Sequence, residues 1–512
     1  MDFEIDRRKL LKATGAGMAT VTIATGATSA ATDPENLPGE GDEENPWEID
    51  SFEDLIAIEQ NLDAYYVLTD DIEFPAEREA MDPLGSEIGG SEYYGGFTYF
   101  TGNLDGQGYE IRNFEIFGNP GGLFAGIGSG GVVENLNIMN IDVESSGAAG
   151  GLAGIFDGGT DGEVRNVSVT GNIDGQYGVG GLFGDMDSGT LADSSSSATV
   201  SGFGNLGGIV GNMYSGGSEN TITRTYAEGN VTSSIEGYLV GGFVGRMQAG
   251  IVSLCFATGD VESANAEEGG ADIGGFVGSL EGGSILRAYA RGNVTGEGAE
   301  TAGVGGFAGT VDSEPGILEE VYSTGTVSEG FNSGGLVGTE VSSEFLLSDQ
   351  TFALGSHVLS GYWDEESSGL TNSDGGVGLT TSQMTGDDAP DNMDGFDFTN
   401  TWVAITGDED AIIGFKPVVS PTEIQIQATQ PTGPGYPVFG WQLGEDEKDC
   451  IDRRNLGRGQ EDEECEFDRD IERGGSRREL DRQTGRGGDG EHIDSETSRR
   501  DRGRGSRRGN GR

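Results

Sequence analysis

Eight times between residues 121 and 338 the chain repeats a five-residue signature: GGLFA, GGLAG, GGLFG, GGIVG, GGFVG, GGFVG, GGFAG and GGLVG. The copies begin at Gly121, Gly150, Gly180, Gly207, Gly241, Gly274, Gly305 and Gly334, at intervals of 27 to 34 residues. A unit of that length cannot bury its own apolar residues, so each must lie on the next and share a continuous core.

The residues between signatures choose the kind of stacking. They are short β-branched runs broken by Gly, Asn, Asp and Ser, as in Ile285 to Ala290 followed by Val294 and Thr295, and none holds a helical period for three turns. The expected fold is all-β: a β-solenoid of about eight coils of ~30 residues, with glycine at tight corners. At ~4.8 Å per strand, eight coils make a rod core of roughly 38 Å.

The same columns resemble the GLUG-motif repeat. The Gly-Gly-hydrophobic-hydrophobic-Gly signature is followed by Tyr226-Ala227-Glu228-Gly229-Asn230-Val231, Phe256-Ala257-Thr258-Gly259-Asp260-Val261, Tyr289-Ala290-Arg291-Gly292-Asn293-Val294 and Tyr322-Ser323-Thr324-Gly325-Thr326-Val327. Leu104-Asp105-Gly106-Gln107-Gly108-Tyr109 before the array, and Gly361-Tyr362-Trp363-Asp364 with Gly378-Leu379-Thr380-Thr381 after it, look like the family's borders. The resemblance covers roughly residues 47 to 443. Ala125 replaces the closing glycine of the first copy, and the stretch Ser194 to Val200 lacks the aromatic residue and the second glycine. Such repeats occur in large secreted adhesin-like proteins and near some surface-anchored peptidases, and the motif has no established chemistry. The resemblance therefore implies an architecture and a location, not a reaction.

Charge says where such a rod is soluble. Residues 31 to 443 hold eight Lys or Arg against 65 Asp or Glu, a net of −57. At ~1 M salt the Debye length falls to about 3 Å and the self-repulsion is screened, so the composition reads as a halophile's solvated surface. The same field excludes nucleic acid as a partner of the body. At the N-terminus Arg7 and Arg8 precede a mildly apolar run to Ala31, resembling a twin-arginine export signal over residues 1–31. That run is too short and weakly apolar for a membrane span, and no later stretch offers one. The expected location is extracellular or at the cell surface, with cell-surface glycans or other surface proteins as partners.

Composition divides the rest. Residues 32–46 form a linker, 47–120 an N-terminal cap and first coil, 121–344 the repeat solenoid, and 345–443 a C-terminal cap carrying Trp363, Trp402, Tyr436, Phe439 and Trp441. Phe52, Leu55, Ile58 and Leu62 predict one amphipathic helix over Ser51 to Leu62. Residues 444–512 hold 17 of the 29 basic residues beside 20 acidic ones, which reads as a disordered polyampholyte. Its Arg/Gly content suits a tether to anionic polymer or nucleic acid, and equally an out-of-frame stretch. Cys450 and Cys465 lie there, whereas Cys255 shares a coil column with Thr225, Ala288 and Val321 and reads as a small core residue.

Signals of catalysis are weak. The chain has only His357 and His492, and lacks a zinc helix, a nucleophile elbow or a phosphate loop. No catalytic, cofactor or metal residue is assigned, and the acidic stretch Asp157 to Glu163 reads as a loop rather than a calcium site. A polysaccharide-degrading enzyme is the alternative to a binding module, because 65 acids guarantee close carboxylate pairs. One column offers a ligand platform. Tyr226, Phe256, Tyr289 and Tyr322 recur in register, either outward as a platform for sugar rings or inward as a stacked core. Their shared alternation with Ile222, Val252, Ile285 and Leu318 favours the interior, while Arg224 and Arg287 between them keep the exterior open. Asn166, Asn230 and Asn293 head Asn-X-Ser/Thr sequons, the last two in one repeat column, and both are expected to carry glycans.

Overall fold

A computed structural model describes residues 36–405, apart from 76–79, 87–95, 216–219, 235–238, 264–270, 297–302, 313–315, 330–331, 342–343, 348–349 and 354–356, together with residues 435–442. The chain winds as a parallel β-solenoid of about seven turns. Three ladders form its sides. On the longest, Val133, Val164, Leu191, Ile222, Val252, Ile285 and Leu318 fall in register, one per coil, and all are fully buried. Phe124, Ala153, Phe183, Val210, Val244, Val277, Ala308 and Val337 line the second. Ala149, Val179, Leu206, Val240, Ile273 and Val304 line the third.

The signature is the corner between the third ladder and the second. Its central residues Leu123, Leu152, Leu182, Ile209, Phe243, Phe276, Phe307 and Leu336 all point into the core with no exposure. The first glycine is needed for close approach. A Cβ on Gly274 would stand 2.0 Å from the Val277 carbonyl oxygen and 2.7 Å from the Gly309 nitrogen, contacts that only a hydrogen in place of Cβ relieves. Three phenylalanines of this corner stack inside the rod, Phe243 on Phe276 at 4.6 Å and Phe276 on Phe307 at 4.8 Å between ring centroids.

At each end, described chain from outside the repeats bonds to the terminal coil, covering part of the sheet edge on which another chain could add. At the N-terminal end Glu48 and Tyr65 donate their backbone N–H to Pro38 and Gly41. The predicted single helix is instead a turn of α-helix, Phe52–Leu55, continued by a 3₁₀ helix, Ile56–Gln60. The reason is in the spacing: Phe52, Leu55 and Ile58 are buried at strict three-residue steps, the period of a 3₁₀ helix. At the other end strand Val358–Asp364 adds a further rung beside Gly316–Ser323. Residues 372–374 then bond across the last signature: Gly335 donates to the Asn372 carbonyl and Val337 to Ser373 Oγ. No described helix is long and apolar enough to cross a membrane.

Candidate functional site

The aromatic column owes its direction to a backbone feature. Asn135, Asn166, Asp193, Arg224, Leu254, Arg287 and Glu320 occupy one position in successive coils, and each has a φ between 46° and 57°. Such a left-handed residue costs an L-amino acid about 1–2 kcal/mol and advances the strand's alternation by one step. Ile222 and Thr225 therefore both point inward, as do Val252 with Cys255, Ile285 with Ala288, and Leu318 with Val321. Tyr226, Phe256, Tyr289 and Tyr322 point out of the coil, and the interior alternation expected for them is corrected by this one inserted step. Their rings stack at 4.9, 4.9 and 5.1 Å with planes within 11° of parallel. Tyr362 stands in register as a fifth member.

Outward does not mean exposed here. Phe256, Tyr289 and Tyr322 are buried in a second apolar cluster with Met384, Met393, Phe396, Trp402, Tyr436 and Phe439, all from beyond the repeats. The polar tips of the ladder bond to the same cover: Tyr322 Oη donates to the Pro437 carbonyl at 2.5 Å, Tyr289 Oη accepts from Gln442 Nε2 at 2.7 Å, and Tyr362 Oη donates to the Asp394 carbonyl at 2.9 Å. Arg291 lies over the rings of Tyr289, Tyr322 and Tyr436 at 4.5, 5.7 and 5.6 Å and donates to Tyr322 Oη and Pro437. Arg112, Arg165, Arg224, Arg246 and Arg287 each pair with a carboxylate; among the described residues Arg291 pairs with none and is held by aromatic faces instead.

The two arginines singled out from sequence have different surroundings. Arg287 reaches Glu320 at 3.2 Å, and that buried carboxylate also accepts from Trp402 Nε1 at 2.8 Å and the Asp397 N–H at 3.0 Å, so it fastens the cover. Arg224 grips Asp193 with two bonds of 2.5 and 2.7 Å at the open end of the ladder. There Tyr226 and Trp441 are half-buried, and Glu228 accepts from Ser197 Oγ at 3.0 Å. Burial pushes the Tyr226 hydroxyl up to about 12 and raises the Glu228 carboxyl above its ordinary range. Sequence reasoning missed Arg291, Tyr362 and Glu228: Arg291 is placed by Pro437, 146 residues on, while Tyr362 bonds Asp394 and Glu228 bonds Ser197 across about thirty residues, pairings that packing and not the repeat signature decides.

The remaining candidates are dispersed. Cys255 is fully buried among coil residues, and burial pushes its thiol up to about 12. His357 Nδ1 lies 3.0 Å from Glu340 Oε1, outside the aromatic cluster although only five residues before Tyr362. In the acidic loop Asp157 accepts from Ser188 Oγ at 2.6 Å, and no group of three or more His, Cys, Asp or Glu is placed to hold a metal among the described residues. Asp185, on the second ladder, is buried with its carboxyl pushed up to about 6 by that burial, against one bond of 2.8 Å from Asn212 Nδ2. Asn230 and Asn293 are exposed and Asn166 is half-buried. Arg7, Arg8, Cys450, Cys465 and His492 lie outside the described residues.

No family model matches the chain. It is 32% identical over 176 residues to Halomucin of Haloquadratum walsbyi, a match covering 31% of this chain and 2% of that protein. It is 33% identical over 136 residues to a protein described as Gly-rich membrane protein of Evansella cellulosilytica, covering 26% of this chain and 15% of the other. The chain thus spans only a small part of the relatives it matches. Among solved structures, a protein assigned as an immunoglobulin A1 protease from Bacteroides ovatus superposes with a TM-score of 0.40 at 19% identity, over 79% of this chain and 94% of that one. An IgA1 protease superposes at 0.38 and 19%, over 61% and 23%. Superpositions of that quality carry no argument about activity.

Proposed function

We propose that the chain is a secreted, salt-adapted surface β-solenoid that acts as an adhesin-like binding or structural module and performs no chemistry of its own. The observation that carries this reading is the aromatic ladder. It is closed over most of its length by the chain's own cover, and ends in Tyr226 and Trp441 beside the Arg224–Asp193 pair and Glu228. Half-buried rings flanked by hydrogen-bonding groups suit a sugar face, whose C–H groups pack on aromatic faces while its hydroxyls bond at the edges. A surface or extracellular location draws support from the two relatives, one named Halomucin and one described as a membrane protein. The net charge of the body and the Arg7-Arg8 pair support export into a saline exterior by a twin-arginine route.

The full chain produced in a halophilic host, fractionated and then tested for binding to surface glycans at molar salt, tests this. Recovery outside the cell is expected, with Tyr226→Ala weakening glycan retention about tenfold at a temperature where circular dichroism shows the variant still folded. Confinement to the cytoplasm, or retention indifferent to Tyr226, overturns it. One observation favours the enzymatic alternative: a carboxyl such as Asp185, pushed up to about 6, sits where a general acid works. Release of reducing ends from a polysaccharide, abolished by Asp185→Asn, would establish that reading in place of ours.

A further inference from the structure

The three sequons are alike in sequence and unlike in the fold. A corner before the short strands Val231–Ser233, Val261–Ser263 and Val294–Gly296 carries one polar residue per coil, Asn230, Asp260 and Asn293, continued by Thr326. Each side-chain oxygen accepts from the backbone N–H of the next coil: Asp260 N–H to Asn230 Oδ1 at 3.0 Å, Asn293 N–H to Asp260 Oδ1 at 2.8 Å, and Thr326 N–H to Asn293 Oδ1 at 3.1 Å. A backbone N–H requires an acceptor, so these bonds fix which end of each amide faces the following coil. The Nδ2 of each asparagine is thereby turned toward the preceding one.

What Nδ2 meets there differs. For Asn293 it meets a carboxylate, Asp260 Oδ1 at 3.0 Å. For Asn166, half-buried at φ 52°, it meets Asn135 Oδ1 at 2.8 Å, and the sequon's hydroxyl, Ser168 Oγ, is bound to Asn137 Oδ1 at 2.7 Å. Asn230 lies one residue before Val231, which pairs with Val200, so its preceding neighbour is Thr199, and its Nδ2 has no acceptor among the described residues. Asn230 is exposed, and Thr232 emerges on the same side because Val231 between them is buried in the core.

We infer that Asn230 is an N-glycosylation site of the folded rod, and that Asn293 and Asn166 are sequons the fold has closed. In the transfer, Asn230 Nδ2 attacks the anomeric carbon of an oligosaccharide carried on a lipid phosphate. The new C–N bond forms as the C–O bond to phosphate breaks, the lipid phosphate leaves with that electron pair, and the proton lost by Nδ2 passes to a base of the transferase. An amide nitrogen already donating to a carboxylate must give up that bond first, which disfavours Asn293 by about tenfold or more.

The inference rests on the chain reaching the exterior folded, and the test separates the two. Full-length protein is recovered from a halophilic host with an N-glycosylation pathway, and site occupancy is read by glycopeptide mass spectrometry. Occupancy at Asn230 should exceed that at Asn293 and Asn166 by at least about tenfold. Asp260→Ala should raise Asn293 occupancy several-fold and leave Asn166 unchanged, whereas Asn230→Gln should remove the glycan without altering the β circular dichroism. Equal occupancy at the three sites in the native chain overturns the inference. An exported chain with Asn230 bare overturns it while leaving the surface reading intact, and a chain retained in the cytoplasm overturns both.

Discussion

Two stacks of aromatic rings run along this rod, one on each side of the coil wall. Inside, Phe243, Phe276 and Phe307 stack at 4.6 and 4.8 Å; outside, Tyr226, Phe256, Tyr289 and Tyr322 stack at 4.9 to 5.1 Å. The spacing is the same because the coil repeat sets it in both cases. What differs is how each stack becomes dry. The inner rings are enclosed by the coils that carry them, whereas Phe256, Tyr289 and Tyr322 of the outer stack are enclosed by Met384, Met393, Phe396, Trp402, Tyr436 and Phe439, which belong to no repeat. The inner stack is thus a property of the period. The outer one is a property of a distant segment laid across it.

The largest test strikes the condition both stacks share, the glycine corner. Gly274→Ala places a methyl group against the Val277 carbonyl and the Gly309 nitrogen, backbone atoms that cannot turn aside. We expect a loss on the order of 4 kcal/mol or more, read as failure to give a cooperative melt at molar salt. A Gly274→Ala variant that melts like the parent would show that the corner tolerates a wider coil. Next in size, Phe276→Ala leaves a hole inside the rod where the walls cannot collapse, and should lower stability by about 3–5 kcal/mol in denaturant titrations.

The contrast also explains what the sequence discloses. The period, the corner and the direction of the signature's apolar residues follow from spacing alone, and the solenoid was legible from them. The outer ladder was not. Its direction turns on the left-handed residue two positions earlier, and at Arg224, Leu254, Arg287 and Glu320 that conformation falls on residue types that seldom adopt it. Asn135, Asn166 and Asp193 in the earlier coils are residues that do, and reading them as a column would have exposed the extra step. Nothing in the repeats announces that Trp402 will bond Glu320 or that Pro437 will face Tyr322 and Arg291, because such pairings come from packing between remote segments.

A third test concerns a buried group on the second ladder, away from the outer stack. Asp185 has its carboxyl pushed from an ordinary value of 3.8 to about 6 by burial, so the folded chain holds that proton more tightly than the unfolded one. The stabilisation is complete below about pH 4 and is lost as pH rises through about 6, amounting to about 3 kcal/mol in all. Asp185→Asn keeps an oxygen for Asn212 and never ionises. The variant should therefore melt higher than the parent at pH 7 and match it near pH 4; a parallel pair of pH profiles would remove Asp185 as the titrating group. Smaller again is Tyr289→Phe, which preserves the stack and deletes one hydroxyl, leaving Gln442 Nε2 without its acceptor. A loss of about 1–2 kcal/mol is expected, and no loss would mean that the cover is held by ring contact alone.

The smallest expected effect marks where the cover stops. Gln442 is anchored twice: Nε2 donates to Tyr289 Oη and Oε1 accepts from the Phe439 N–H at 2.7 Å. Beyond Leu443 the composition turns to Arg, Gly, Asp and Glu with very few apolar residues, so the remaining chain has little with which to add buried surface. Truncation after Leu443 should leave the molar-salt melting midpoint within about 0.5 kcal/mol of the parent. Moving the cut back to follow Trp441 removes Gln442 and should cost at least the Tyr289→Phe loss, since the bond to Tyr289 is broken from its other end and the Phe439 N–H loses its acceptor as well. If the longer truncation already costs as much as the shorter one, the outer stack depends on chain beyond Leu443 and its boundary is misplaced. If neither costs anything, the bond from Gln442 contributes nothing to the cover, and the rings of Trp402, Phe439 and Tyr436 are what hold it down.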